Sequence, residues 1–165
     1  MSKKNTRILL IDDEEIVRES LSGWLEKDGY TIGTAPDGLA GLKALEDGRW
    51  SILLVDLKMP GIDGLEVLRR VKEKNPEIAV VIMTAYATVD TAVNAMKLGA
   101  FDYIVKPFDP EEVSLMVEKI VAQQALDLDA LKMGLAKKWE ARGRSERRCV
   151  SYGKKQGSAS DAPVG

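Results

Sequence analysis

The chain contains no histidine. A histidine metal ligand, a histidine general base, a Ser-His-Asp triad and a phosphohistidine carrier are therefore all excluded. Cysteine is nearly as scarce. Cys149 stands alone, so there is no intrachain disulfide and no Cys-rich zinc site, which fits a reducing compartment. Long apolar runs are missing too. The basic start, Met1 to Arg7, leads into only four apolar residues, too few for a signal peptide, and no run approaches transmembrane length. The expected location is the cytoplasm, with no membrane partner. Nor does one sign of charge dominate: 24 Lys and Arg against 26 Asp and Glu leave a net of −2, no overall signal for nucleic acid. A Gly-rich phosphate loop of the G-x-x-x-x-G-K type is absent, there is no room for an ATPase module, and no helix-turn-helix stands out.

What is present is the balance of an ordinary soluble globule, 45% apolar and 30% charged over 165 residues, which favours one domain plus some extra length. Charge is uneven along it. Residues 1–125 hold 15 Lys and Arg against 21 Asp and Glu, a net of −6, and residues 126–165 hold 9 against 5, a net of +4.

The stretch that organises the chain is Ile52-Leu53-Leu54-Val55-Asp56, followed by Met59-Pro60-Gly61-Ile62-Asp63-Gly64. Four apolar residues in a row read as a strand covered on both faces, as in a parallel sheet. Asp56 stands where that strand stops. In open parallel α/β sheets the carboxyl ends of the strands form the working crevice. A carboxylate there is a nucleophile, a metal ligand or a helix cap.

The same unit recurs. Ile8 to Ile11 is a short strand ending in Asp12-Asp13-Glu14-Glu15, followed by helical spacing at Ile16, Val17, Leu21, Trp24 and Leu25 as far as Gly29. Tyr30 to Thr34 alternates as a peripheral strand, and Asp37-Gly38 opens a helix with Leu39, Leu42 and Leu45 on one face. Leu65, Leu68 and Val71 mark a helix that stops before Asn75-Pro76. Ile78 to Met83 is a strand ending in Thr84. Thr88 caps a helix carrying Val89, Ala92, Val93 and Met96. Phe101 to Val105 is a strand ending in Lys106-Pro107. Asp109-Pro110-Glu111-Glu112 then starts a helix with Val113, Met116, Val117, Ile120 and Val121 on one face. Five strand-helix repeats predict a doubly wound α/β fold: a five-stranded parallel sheet in the flavodoxin-like order 2-1-3-4-5 with helices on both faces.

Four buried strands thus end in Asp12-Asp13, Asp56, Thr84 and Lys106, all at one edge of the sheet. Singly, each has an ordinary reading: helix-dipole carboxylates, a turn residue, a cap, a solvated charge. Together they put three carboxylates, a hydroxyl and an ammonium in one crevice. Crowded carboxylates repel each other and raise each other's pKa unless a cation neutralises them. With only oxygen ligands to offer, the set selects Mg²⁺ or a similar hard ion. A carboxylate nucleophile there becomes an acyl phosphate, and a lysine and a hydroxyl help to hold the phosphoryl group.

With Thr84-Ala85, Lys106-Pro107 and the wording Ala100-Phe101-Asp102-Tyr103-Ile104-Val105-Lys106-Pro107-Phe108, these motifs resemble the receiver domain of bacterial two-component response regulators, most closely the receivers of enhancer-binding transcription activators. The resemblance covers about residues 6–124. It implies a phosphorylation switch rather than a conventional enzyme, with Mg²⁺-dependent self-phosphorylation and self-dephosphorylation at most. Asp56 would be the phosphoacceptor. Asp13 would bind Mg²⁺ directly and Asp12 partly through water, with the Asp56 carboxylate and the Lys58 backbone carbonyl completing the protein ligands. Lys106, with a cis bond to Pro107, would pair with the phosphoryl group. Thr84 would reach for it while Tyr103 turns inward, changing the face made by the fourth helix, fifth strand and fifth helix. Lys58 and Tyr86 would shield Asp56 from water. The implied partners are a sensor histidine kinase or phosphotransfer protein and, on phosphorylation, a second copy of the chain.

A phosphatase that forms an aspartyl phosphate is the rival reading, but it wants a carboxylate where Lys58 stands. A nucleotide-binding α/β domain wants a Gly-rich first turn, and Asp12-Asp13-Glu14-Glu15 is its electrostatic opposite. Beyond the receiver, Leu128, Leu131 and Leu135 hint at a heptad, interrupted by Gln124 and Lys138, which leaves residues 125–141 as a helical extension able to pair or a frayed end. Residues 142–165, with Arg142, Arg144, Arg147 and Arg148, read as a basic disordered tail, and DNA contact by the chain itself is not expected.

Overall fold

The computed structural model describes residues 5–137. The basic cluster at Arg142, Arg144, Arg147 and Arg148, Lys138, and the tail expected over 142–165 lie outside the described residues, as does the side chain of Leu135. The chain forms two units, Met1–Gln123 and Gln124–Gly165.

Strands and helices alternate through the first unit: β1 (Arg7–Ile11), α1 (Glu15–Lys27), β2 (Thr31–Ala35), α2 (Gly38–Glu46), β3 (Ile52–Asp56), α3 (Gly64–Lys74), β4 (Ala79–Thr84), α4 (Val89–Lys97), β5 (Asp102–Val105) and the start of α5 (Pro110–Lys137). All strand pairs are parallel and the order is β2-β1-β3-β4-β5, as expected from five right-handed strand-helix units. β3 and β4 are buried along their whole length, whereas β2 and β5, at the edges, are largely open. That difference is why the central strands read as continuous apolar runs and the edge strands do not.

Side chains alternate across the sheet and build two cores. Leu9, Ile11, Leu53, Val55, Val80 and Ile82 face Leu45 of α2, Val67, Leu68 and Val71 of α3, and Ala95 of α4. Ile8, Leu10, Ile52, Leu54, Val81 and Met83 face Leu21 and Leu25 of α1 and Val113, Val117 and Ile120 of α5. Helix starts follow their sequence signals. Asp37 accepts the Ala40 N–H at 2.8 Å and Asp63 the Glu66 N–H at 2.9 Å. At α5, Asp109 accepts the Glu111 N–H at 3.0 Å while Glu112 Oε1 accepts the Asp109 N–H at 3.1 Å.

Some apolar positions that mark helices by spacing do not reach a core. In α1 only Leu21 and Leu25 are buried, and Ile16 is 71% exposed. Leu39 of α2 is 60% exposed, because that helix turns Gly38, Gly41 and Leu45 inward instead. In α4 the inward residue is Ala95, and Val89, Val93 and Met96 lie on the outer face. β2, β4 and β5 each begin one residue later than their apolar runs suggest. In the second unit α5 runs to Lys137, with Leu126, Leu128, Leu131 and Met133 exposed. Among the described residues, no helix is long and apolar enough to cross a membrane.

The two kinds of leucine should separate on truncation. Leu54→Ala, in the middle of β3, should cost about 2–5 kcal/mol, and Leu39→Ala no more than about 0.5 kcal/mol, both read from urea unfolding. Equal losses would contradict this assignment of faces.

Candidate functional site

Topology puts the first pair of carboxylates together. β1 and β3 are neighbours in register from Ile8 with Ile52 to Ile11 with Val55, so the next residues, Asp12 and Asp56, leave the sheet side by side. This is the point where the order of connections reverses, with β2 on one side of β1 and β3 on the other. β4 and β5 pair Thr84 with Val105, which brings Lys106 to the same edge.

Four of the residues singled out from sequence form one charged cluster. Carboxylate oxygens of Asp12, Asp13 and Asp56 lie within 4.8 Å of one another. Asp12 is fully buried, Asp56 nearly so, and Asp13 is exposed. Lys106 Nζ donates to Asp12 Oδ2 at 2.8 Å and stands 3.6 Å from Asp56 Oδ1. Asp12 Oδ1 meanwhile accepts the Glu14 N–H at 2.9 Å, so this residue also serves the start of α1. The Lys106–Pro107 peptide bond is cis.

The balance of charge is unfavourable as it stands. Three carboxylates, with Glu14 Oε1 3.6 Å from Lys106, face one ammonium. Burial pushes the Asp56 carboxyl up to about 6; Lys106 pulls it down, and the charges of Asp12 and Asp13 push it further up. Burial works against the Lys106 ammonium, but its hydrogen bond to Asp12 and the charges of Asp12, Asp56 and Glu14 outweigh that, and its pKa lies above the ordinary lysine value. Surplus negative charge with oxygen donors only is the donor set of a hard divalent cation such as Mg²⁺.

The remaining predicted residues make contacts of their own. Thr84 is fully buried at the end of β4, and its hydroxyl accepts the Tyr86 N–H at 2.9 Å. Tyr103 is half-buried, with its hydroxyl 2.7 Å from Thr91 Oγ1 on α4. The Lys58 ammonium lies 5.7 Å from the centre of the Tyr86 ring.

Several contributors escape sequence reasoning. Glu14 reaches Lys106 only because β1 and β5 end at one edge. Arg18 Nη1 donates to the Asp12 carbonyl at 2.6 Å. Gly64 holds α3 against the end of β3: its N–H bonds the Leu57 carbonyl at 2.9 Å, and a Cβ there would sit 2.5 Å from the Asp56 carbonyl oxygen. Gly61, with φ +84°, makes the turn between them in a conformation that side-chain-bearing residues rarely adopt. A Gly-rich run after a strand is the signal for such a close approach, although its partner cannot be read from sequence. Beside Lys106 opens an apolar cavity of about 460 Å³ lined by Ile16, Val17, Leu21, Pro107, Phe108 and Pro110, which accounts for the exposed Ile16.

The chain is similar to known proteins. The family model for the response regulator receiver domain matches residues 8–118. The regulatory protein AtoC of Escherichia coli is 36% identical over 136 residues, covering 81% of this chain and 30% of AtoC. The DNA-binding transcriptional regulator NtrC of Escherichia coli is 39% identical over 115 residues, 70% of this chain and 24% of NtrC. The chain therefore spans 24–30% of the length of these curated relatives. Among solved structures, the response regulator protein TrrA from Thermotoga maritima in complex with Mg²⁺-BeF superposes with a TM-score of 0.64 at 35% identity, over 70% of this chain and 98% of TrrA.

The charge surplus predicts a pH-dependent stability in metal-free solution. The Asp56 carboxyl titrates near 6 in the folded protein, against 3.8 as the reference value. Between those values the native state binds more protons than the unfolded chain, so stability falls as pH rises through the window and levels off above it. Asp56→Asn should remove that slope and stabilise the metal-free protein at pH 7 by up to about 3 kcal/mol, measured by urea unfolding at several pH values. A variant less stable than wild type at pH 7 would contradict the charge balance described.

Proposed function

The chain belongs to the response regulator receiver family, and from that premise we propose that Asp56 is the phosphoacceptor of a two-component phosphorelay switch. The observation that carries this reading is the cluster itself: three carboxylates within 4.8 Å of one another, tied to a single lysine at the carboxyl edge of the sheet. Asp12, Asp13 and Asp56, with the Lys58 backbone carbonyl, would hold Mg²⁺, which supplies positive charge to neutralise a phosphoryl group when bound.

In the transfer, an Asp56 carboxylate oxygen attacks phosphorus. The bond to the donor nitrogen of a phosphohistidine breaks, and that nitrogen keeps the electron pair. Lys106 moves its contact from Asp56 to the incoming phosphoryl oxygens. Thr84 releases the Tyr86 N–H and turns its hydroxyl to the same group, while Tyr103 turns inward. The donor is a sensor histidine kinase or phosphotransfer protein, and the apolar cavity beside Lys106 supports a docking helix there. A small acyl phosphate would serve in its place, so the chain's own chemistry is self-phosphorylation and self-dephosphorylation.

Readout follows from the α4–β5–α5 face, where Val89, Val93, Met96, Val105 and Leu115 are exposed. Large exposed apolar side chains on one face suit a second copy of the chain or an output partner. Similarity to AtoC and NtrC supports a role as the regulatory part of a transcription regulator acting in the cytoplasm, with no DNA contact expected of the chain itself. A phosphatase role lacks its acid, since Lys58 occupies the position where a carboxylate would be needed and leans toward Tyr86.

The full chain incubated with Mg²⁺ and acetyl phosphate should gain one base-labile phosphoryl group on Asp56, and Asp56→Asn should gain none, by intact-protein and peptide mass spectrometry. Failure to label, with cognate kinase included, overturns the proposal; turnover of simple phosphate esters would favour the phosphatase. We propose that Lys58 and Tyr86, whose ammonium and ring lie 5.7 Å apart, shield Asp56 from water, so Tyr86→Ala should shorten the lifetime of the phosphorylated form severalfold. An unchanged decay rate would remove Tyr86 from that role.

A further inference from the structure

The hydroxyl of Thr91 has more partners than it can bond. Thr88 N–H donates to it at 3.1 Å, and it reaches the Thr88 carbonyl at 3.1 Å, Thr88 Oγ1 at 3.0 Å and the Tyr103 hydroxyl at 2.7 Å. A hydroxyl offers one hydrogen and two lone pairs. If its hydrogen goes to the Thr88 carbonyl and one lone pair takes the Thr88 N–H, a single lone pair remains. Tyr103, at the shortest distance, is the natural donor to it. Thr88 Oγ1 has its own partner in the Thr91 N–H, at 3.1 Å.

The comparison within this fold is α5. There the residue three positions into the capping box is Glu112, whose carboxylate reaches back to the Asp109 N–H. α4 has a threonine at the equivalent place, short enough to close the box and to meet a side chain from β5 at the same atom. The other end of the β4–α4 loop is also held by a threonine, since Thr84 Oγ1 accepts the Tyr86 N–H. Residues 85–88 are exposed and are strung between these two anchors.

We infer that Thr91 is a positioning residue: its hydroxyl ties Tyr103 to the N-cap of α4, so that movement of the phenol loosens the first turn of that helix, and fraying of the turn frees the phenol. This rests on the reading of Thr84 and Tyr103 as the switch residues that answer phosphorylation of Asp56. It adds a physical link from Tyr103 to α4. A threonine serving only as a cap would be indifferent to the phenol, and that difference is measurable.

The test is amide exchange at Thr88, by NMR on the full, unphosphorylated chain. Thr91→Val, which keeps the shape and removes the hydroxyl, should speed exchange about tenfold, and Thr91→Ser should restore it to within about twofold of wild type. Tyr103→Phe, which leaves the capping box untouched, should speed it about threefold or more. The double variant Thr91→Val/Tyr103→Phe should be no faster than Thr91→Val alone, because both changes break one shared node. Should Thr91→Val fold poorly, Tyr103→Phe decides by itself. Exchange at Thr88 that ignores the loss of the phenol, or effects that multiply in the double variant, would overturn the coupling. Labelling of Asp56 by acetyl phosphate is scored separately on the same samples. Its absence in wild type overturns the phosphoacceptor reading, whereas labelling with an indifferent Thr88 overturns the coupling alone.

Discussion

One ammonium among too many carboxylates is the constraint on which the rest of this structure depends. Lys106 is bonded to Asp12 and stands near Asp56 and Glu14, with Asp13 beyond them. Removing charges from water is costly, and a single counter-ion does not offset three carboxylates held this close. The fold keeps them there because β3 ends in Asp56 and β1 and β5 are followed directly by Asp12 and Lys106, all at one edge of a sheet whose core is built of apolar side chains. The crowding leaves negative charge unmet, and a bound cation would offset it.

Placement of the acceptor is a matter of backbone. Leu57 N–H bonds the Met83 carbonyl at 2.8 Å, which extends the β3–β4 pairing past Asp56 and fixes its direction. On the other side Gly64 brings the first turn of α3 against the Asp56 carbonyl, closer than any side chain would permit. Asp56 is thus held between a strand and a helix start. A backbone fixed in this way suits the role proposed for Asp56, because the energy of a new group is then expressed in the side chains around it.

Much of this was legible in the sequence, for specific reasons. β3 and β4 are covered on both faces, so their apolar runs end abruptly and point to Asp56 and Thr84. The caps at Asp37, Thr88 and Asp109 have local signatures, and all three make the bonds their chemistry suggests. Less legible was which side of a helix faces inward. Leu39, Val89, Val93 and Met96 share helical spacing with core residues and are exposed, because glycine or alanine, at Gly38, Gly41 and Ala95, is what fits against the sheet. Periodicity counts large apolar residues and overlooks small ones. Contacts between distant segments, such as Glu14 to Lys106 and Thr91 to Tyr103, had no local signal at all.

The central claim is that the crevice is short of positive charge and is built to receive it. The most direct test follows the Asp56 side-chain carboxyl by carbon-13 NMR across pH, with and without saturating Mg²⁺. The account predicts a midpoint near 6 without metal and a fall of about one pH unit or more when Mg²⁺ is added. A midpoint near 3.8 without metal, or one that Mg²⁺ leaves in place, would contradict it.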